Sequence, residues 1–401
     1  MTTVMDDVVT RESRFVLQTY RRNPVTFVRG DGVRLYDADG REYIDLLSGI
    51  GVAALGHGHA GLARAVSEQA QTLIHTSNLF FHPLQGELAE RLSALSGLAR
   101  SFFCNSGTEA VEACLKFARR YWHTKGAPRA QFVALDESFH GRTFGSLSVT
   151  SDEHYRAPFE PLLPTVKFVP TNDASTLAAA VSASTAAIIA EPVIGEGGLR
   201  PLTPAFAAAI KEACAKTGAL FIADEIQSGL GRTGHPFYFQ ALGLTPDLVA
   251  VGKALGGGVP IGAALASQAV ADTLSFGDHG STYGGNLLAC RAALFVLGEL
   301  FDGGVAENVK RVGPSFERRL RAIASAHPIV KEVRGAGLMW GLELTRDAAA
   351  VVPAALERGV VVNRTAERVV RLLPPLVISE ADAMDALGRL DAAIGAVGAS
   401  A

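Results

Sequence analysis

Residues 221–258 read FIADEIQSGLGRTGHPFYFQALGLTPDLVAVGKALGGG, and two apolar runs around this stretch decide the fold class. Ala219-Leu220-Phe221-Ile222-Ala223 ends in Asp224. Leu248-Val249-Ala250-Val251 ends, after Gly252, in Lys253. Strands buried on both faces are apolar throughout, and in open α/β sheets ligands sit at the strands' carboxyl ends. A lone acid or lysine at a strand end is usually solvated. The pair matters only if the rest of the chain supplies a ligand needing one carboxylate and one apolar-flanked amine.

Working outward, Gly229-Leu230-Gly231-Arg232-Thr233-Gly234 matches G-x-G-x-x-G. That pattern must open a helix, and His235-Pro236-Phe237-Tyr238 does not read as one. No acid closes a following strand roughly 20 residues on, so a nicotinamide or flavin site is rejected. Upstream, Phe132–Leu135 and Ala186–Ala190 are further apolar runs, the second leading into Glu191-Pro192 and Gly195-Glu196-Gly197-Gly198. Strands alternating with helices from about residue 100 to 260 predict a mostly parallel sheet covered on both sides.

Ser101–Trp122, SFFCNSGTEAVEACLKFARRYW, predicts a short strand and then a helix with Val111, Cys114, Leu115, Ala118 and Trp122 on one face. Ser106 and Glu109 have capping-box spacing, which puts the helix start at Ser106. Free N–H groups, two hydroxyls and a positive dipole end then meet at one point, which suits an anion such as phosphate, though an ordinary capped helix has the same signature. Phe139-His140-Gly141-Arg142-Thr143 offers a stacking surface beside a carboxylate clamp, or simply a packed loop. Gly280-Ser281-Thr282-Tyr283-Gly284-Gly285-Asn286 is a second small polar loop that suits phosphate.

The 401-residue chain is 48% hydrophobic and 19% charged, with a net charge of −3. That is enough for a large core, and it carries no basic excess for nucleic acid or an anionic membrane. The start, MTTVMDDVVTRESR, carries acids and lacks the apolar centre of a signal peptide, and no run is long enough to span a bilayer. Cys104, Cys114, Cys214 and Cys290 lack metal-type spacing, and reduced thiols in a cytoplasmic protein are expected. His57 and His59 have no obvious third ligand, so no metal is expected. Residues 15–50 predict a meander of short strands turning at RGDG and DADG, followed by a helix through Leu62, Ala65, Val66, Gln69 and Leu73. The pattern changes near residue 306, with strands at Ile329-Val330, Leu338–Leu344 and Val360–Val362.

NSGTEA, FHGRT, AEPVIGEGG, ADEIQSGLGRTG, VGKALGGGVPIGA, GSTYGGN and RLLPPL, in this order, resemble the class III aminotransferases, from about Tyr20 to the C-terminus. Within the class the chain is most similar to the acetylornithine and succinylornithine aminotransferases. The resemblance implies pyridoxal 5'-phosphate and the fold-type I architecture: an α/β large domain with a mostly parallel seven-stranded-type sheet between helices, plus a smaller α+β domain. The expected division is residues 1–60 as an N-terminal segment of the small domain, 61–305 as the large domain and 306–401 as the C-terminal small domain.

By the same resemblance Lys253 joins the cofactor aldehyde, and its apolar and glycine neighbours lower the pKa of its amine. Asp224 faces the pyridine nitrogen and Gln227 the ring hydroxyl. Ser106, Gly107 and Thr108 hold the phosphate with Thr282 of a partner subunit, which implies a homodimer with shared sites. Phe139 stacks on the ring and His140 lies beside it. Arg371 takes the α-carboxylate of glutamate or 2-oxoglutarate, Arg142 the distal one, and Glu196 is the switch partner of Arg371.

Ornithine aminotransferases are similar at Thr76–Phe81 but carry tyrosine where this chain has Phe81. Without that hydroxyl a buried free α-ammonium is poorly satisfied, so an acylated α-nitrogen is favoured. Tyr20 is a further candidate contact. Val111, Ile194, Leu287 and Ala60 depart from common family residues, which leaves the donor less defined. The expected reaction moves the terminal amine of N2-acetylornithine to 2-oxoglutarate, as in arginine biosynthesis. Succinylornithine, ornithine, 4-aminobutyrate and a carrier-bound lysine are rivals with the same mechanism. An aminomutase or racemase needs no second dicarboxylic substrate, so Arg371 with Glu196 argues against it. A non-catalytic binding protein would not need Lys253, Asp224 and Gln227 together.

Overall fold

The structure, a computed structural model, describes residues 4–399. The first three residues of the MTTVMDDVVTRESR start and the last two of the 306–401 unit lie outside the described residues.

Seven strands form the central sheet. From one edge they are Arg100–Cys104, Gly262–Ala266, Leu248–Val251, Leu220–Asp224, Thr185–Ala190, Gln131–Leu135 and Val166–Val169. Gly262–Ala266 runs antiparallel to both its neighbours, and all other pairings are parallel. The apolar runs are explained by two cores. Phe221, Ala223, Val249 and Val251 pack into one, while Leu220, Ile222, Leu248 and Ala250 pack into the other. Because side chains alternate across a strand, a sheet covered on both faces must be apolar at every position.

The Gly107–Thr124 helix supplies much of the second core through Val111, Cys114, Leu115, Ala118 and Trp122. Its N-cap is Ser106, as the sequence spacing predicts.

An N-terminal and a C-terminal segment share one sheet. Strands Phe27–Asp31, Arg34–Asp37 and Glu42–Asp45 form the expected N-terminal meander, and Val360–Val361 pairs parallel with Glu42–Asp45. A further sheet has the order Val330–Ala336, Met339–Leu344, Val369–Leu372 and Asn363–Thr365. Arg371 sits on an inner strand of it, opposite Gly341 on one side and Asn363 on the other.

The glycine decoy is a turn, not the start of a nucleotide-binding helix. Leu230 N–H donates to Pro236 O at 2.7 Å and Gly231 N–H to His235 O at 3.1 Å. Its Arg232 is fully buried, donates to the carbonyls of Leu338 and Pro374, and is pushed down to about 9 by burial. The two histidines of LGHGH have local partners: His57 Nε2 lies 2.8 Å from Asp45 Oδ2, and His59 Nδ1 caps the Ala60–Thr72 helix.

Candidate active site

Asp224 ends its strand and Lys253 follows the neighbouring one by two residues, so the parallel register brings both to the carboxyl ends of inner strands. Lys253 has φ +42°, in the left-handed region. Such a conformation costs a non-glycine residue on the order of 1–3 kcal/mol and persists only where the surroundings enforce it. The preceding Gly252 passes close to the next helix, where a Cβ would lie 3.2 Å from Gly107 Cα. Gly252 thus brings the chain just before Lys253 up to the N-terminus of the Gly107–Thr124 helix. Burial lowers the Lys253 pKa, against opposing pulls from Glu196, Asp224 and Glu191.

These residues line a cavity of about 300 Å³ together with Gly107, Thr108, Phe139, His140, Gly141, Arg142, Ile226 and Gln227. At its base His140 Nδ1 meets Asp224 Oδ2 at 2.7 Å, while Asp224 Oδ1 accepts the Ile226 N–H at 3.1 Å. An ionised carboxylate only accepts, so the contact places a proton on Nδ1. Glu191, also buried, takes the Phe139 and Gly195 N–H groups at 2.9 Å each. Burial raises its pKa to about 7, with His140 pulling it down and Asp224 pushing it up.

At the helix end the Ser106 hydroxyl accepts the Glu109 N–H at 3.3 Å, and Glu109 reaches back to the Asn105 N–H at 2.7 Å. Thr108 Oγ1 lies 2.8 Å from Thr143 Oγ1 and 2.6 Å from Ser146 Oγ. Gly141 allows this contact: with φ +137°, a Cβ there would come 2.3 Å from Thr108 Oγ1. The result is a turn of free N–H groups and hydroxyls beside Lys253, the arrangement an anion needs.

Arg371, 1% exposed, donates from Nη1 to Glu196 Oε1 and from Nε to Asn363 Oδ1 at 3.1 Å. Burial opposes the Glu196 charge, but Arg371, Lys253 and Gln227 outweigh it and hold its pKa below the ordinary value. Arg142 is exposed, its guanidinium 3.5 Å from the Tyr155 ring centre and 5.5 Å from that of Phe139. A cation stacked this way keeps its donor edge free for a carboxylate.

Residues 16–394 match the family described as aminotransferase class-III. The chain belongs to that family. It is therefore a PLP-dependent aminotransferase, acting on a small-molecule amino donor and a keto acid. Its relatives include the acetylornithine aminotransferase of Archaeoglobus fulgidus, 46% identical over 93% of this chain and 96% of the relative. That of Caldanaerobacter subterraneus subsp. tengcongensis is 42% identical over 96% and 98%. Among solved structures, the ornithine aminotransferase of Toxoplasma gondii superposes with a TM-score of 0.95 at 32% identity, covering 100% of this chain and 97% of that one. The acetylornithine aminotransferase of Elizabethkingia anophelis gives 0.88 at 30%, covering 98% and 100%.

The aminotransferase cavity fits the cofactor of its class. Two of its buried atoms, Gln227 Oε1 and His140 Nε2, have no hydrogen-bond partner among the described residues. A buried acceptor without a donor is costly, and Gln227 Oε1 suits a hydroxyl. Ser106, Gly107, Thr108, Phe139, His140, Asp224, Gln227 and Lys253 are thus gathered at one place, and Glu196 adjoins it with Arg371 behind.

Three sequence candidates are elsewhere on the single chain. Phe81 is 107% exposed and Tyr20 75%, and Thr282 is exposed as well; none lines the Lys253 cavity. Phe81 and Thr282 nevertheless travel together. Asn78 donates to Ser281 O at 3.2 Å and Gly284 O at 2.9 Å, joining their loops.

Sequence reasoning also passed over residues at the site. Asn363 and Thr365 brace Arg371 and Glu196, and Glu191 ties two loops. Ser48, Gly49, Ile50 and Gly51 form a left-handed run with φ between +47° and +79°. Asp45 holds this run by accepting the Leu47 and Ser48 N–H groups at 2.7 and 2.9 Å, and a Cβ on Gly51 would meet Lys253 Cδ at 4.0 Å.

Proposed function

We propose that the enzyme transfers the terminal amine of N2-acetyl-L-ornithine to 2-oxoglutarate, giving N-acetylglutamate 5-semialdehyde and glutamate. The observation that carries this is the closed Arg371–Glu196 pair. An α-carboxylate has no free guanidinium to meet in this state, whereas a donor that reacts through a terminal amine requires none there. When a dicarboxylic substrate enters, Glu196 gives up Arg371, which takes the α-carboxylate while Arg142 takes the distal one. The relatives named acetylornithine aminotransferase support the same donor.

Pyridoxal phosphate, when bound, supplies an electron-withdrawing ring conjugated to the substrate carbon. The residues of this chain do the rest. Asp224 holds negative charge at the cavity base, oriented by His140. Lys253, its amine pKa lowered by burial, would take the proton from the amine-bearing carbon of the substrate and deliver it two atoms on, beyond the nitrogen, so that the amine leaves the donor. Phe139 offers a wall for the ring, and Ser106, Gly107 and Thr108 donors for the phosphate.

The approach to the site is a cavity of about 900 Å³ that shares Phe139 and Glu196 with the inner one. Its lining bears Asp136, Glu137, Asp152 and Glu367 against Arg364 and His154. A carrier-bound lysine would favour a basic rim, so this lining favours a small donor. We further propose a homodimer in which Thr282 and Phe81 complete the partner's site, and a small domain made of residues 1–60 and 306–401 beside a large one of 61–305. The pairing of Val360–Val361 with Glu42–Asp45 supports that division.

A panel of acetylornithine, succinylornithine, ornithine and 4-aminobutyrate, read as glutamate formed from 2-oxoglutarate, tests the donor. Acetylornithine is expected to give the highest kcat/KM; a preference for ornithine or 4-aminobutyrate contradicts the proposal.

A further inference from the structure

The two oxygens of Glu191 are spent on the backbone of two different loops. Oε1 accepts the N–H of Phe139 and Oε2 that of Gly195, both at 2.9 Å. Glu191 directly follows the Thr185–Ala190 strand, at the carboxyl ends where Asp224 and Lys253 also lie, and is 4% exposed. A carboxylate so buried is tolerated only with its lone pairs occupied.

The two loops are also in contact with each other. A Cβ on Gly197 would lie 2.3 Å from Glu137 O, and one on Gly195 would lie 2.6 Å from Gln227 Oε1. At Gly197 the obstacle is the Glu137 backbone, so glycine is required there for the two loops to pass this closely. Each loop carries one part of the site: Phe139, a wall of the inner cavity, and Glu196, the partner of Arg371.

We propose that Glu191 is a positioning residue that ties the Phe139 loop to the Gly195–Glu196 loop, so that the cavity wall and the arginine switch share one anchor. This rests on Glu196 acting as the switch, as proposed above. With the tether intact, Glu196 is presented to Arg371 at a fixed reach, and the closed pair is favoured. Loosening it frees Arg371 for carboxylates and relaxes the wall at Phe139. The half-reaction with glutamate then gains relative to the half-reaction with the terminal-amine donor, and the cofactor binds more weakly.

Glu191→Gln and Glu191→Asp test this together. The first keeps the shape but turns an amide N–H₂ towards one donor; the second keeps the charge but is one methylene too short to reach both. Three readouts apply: amide hydrogen exchange at Phe139 and Gly195 in the apo protein, the cofactor dissociation constant, and kcat/KM for the two half-reactions measured separately. Both variants should lose protection at both amides, bind cofactor about tenfold more weakly, and shift the ratio of half-reactions towards glutamate by roughly tenfold, within what small misplacements cause.

Protected amides in the variants, or equal losses in both half-reactions, overturn the proposal. So does wild-type behaviour of Glu191→Asp beside a defective Glu191→Gln, since charge alone would then matter. A wild-type enzyme without a glutamate half-reaction would sink the proposed function instead, and amide exchange would still decide the tether.

Discussion

His140 Nδ1 lies 2.7 Å from Asp224 Oδ2, with neither side chain more than 3% exposed. The histidine fixes the direction of the one acid at the cavity base, and a buried, hydrogen-bonded carboxylate at the end of a strand is a rigid electrostatic fixture. Replacing Asp224 by Asn removes the charge while keeping the shape. Turnover should fall roughly 10²- to 10⁴-fold, the range a positioned acid–base group contributes, with Lys253 still able to join the cofactor. Single-turnover kinetics on the reconstituted variant measure this; a loss below tenfold would contradict the role.

Glu196→Ala should expose Arg371 permanently. The glutamate half-reaction is expected to hold, while the acetylornithine half-reaction falls about tenfold or more, because an unmasked buried cation attracts carboxylates to the wrong place. Stopped-flow measurement of each half-reaction checks the ratio. An unchanged ratio would remove Glu196 from the switch.

Lys253 provides a pH test. Burial lowers its pKa from the ordinary 10.5, so the neutral, nucleophilic amine exists at lower pH than in a free lysine. The rate at which the apo enzyme reloads with cofactor should rise with pH through a midpoint below 10.5. A midpoint at or above that value would contradict the buried-amine account.

Glu225 has the opposite sign and reads out in stability. Burial raises it from 4.5 to about 8, with Ser228 Oγ at 2.6 Å and the Phe239 N–H at 2.7 Å as partners. Because the folded pKa lies above the unfolded one, its contribution is fully present below about 4.5 and is lost as pH rises through about 8. Gln mimics the protonated acid. Glu225→Gln should therefore gain stability over wild type as pH climbs from 5 to 9, by a few kcal/mol at most. Thermal melts across that range give the comparison, and a constant offset would be the contrary result.

Phe81→Tyr should raise kcat/KM for ornithine relative to acetylornithine by about tenfold, the worth of one hydrogen bond to a charged group. In the homodimer proposed above, Phe81, exposed on the single chain, completes the partner's site, and on that proposal the effect should appear in trans. A mixed dimer of Phe81→Tyr and Lys253→Ala chains should lack the effect, because its one live site is completed by Phe81, whereas a chain carrying both substitutions paired with a wild-type chain should show it. Competition between the two donors reports the ratio.

What the sequence reveals follows from what kind of constraint each residue obeys. Leu220–Asp224 and Leu248–Val251 are legible because burial on both faces leaves an unbroken apolar run, and Ser106 because a capping box has fixed spacing. The reversal of Gly262–Ala266 is not legible, since strand direction leaves no mark on composition. Nor is the left-handed run at Ser48–Gly51, where two non-glycine residues hold positive φ only because Asp45 and the packing around them impose it. Motif resemblance brought Glu196 to Arg371 although 175 residues separate them. It did not bring Glu191 to the Phe139 and Gly195 amides, because a carboxylate that serves the backbone has no partner side chain to search for.

Borohydride reduction of the cofactor-loaded enzyme, followed by peptide mapping, tests most directly whether the cavity between Asp224 and Lys253 is the catalytic centre. One pyridoxyl group per chain is expected, on the peptide that contains Lys253. Label on another lysine, or none, would contradict it.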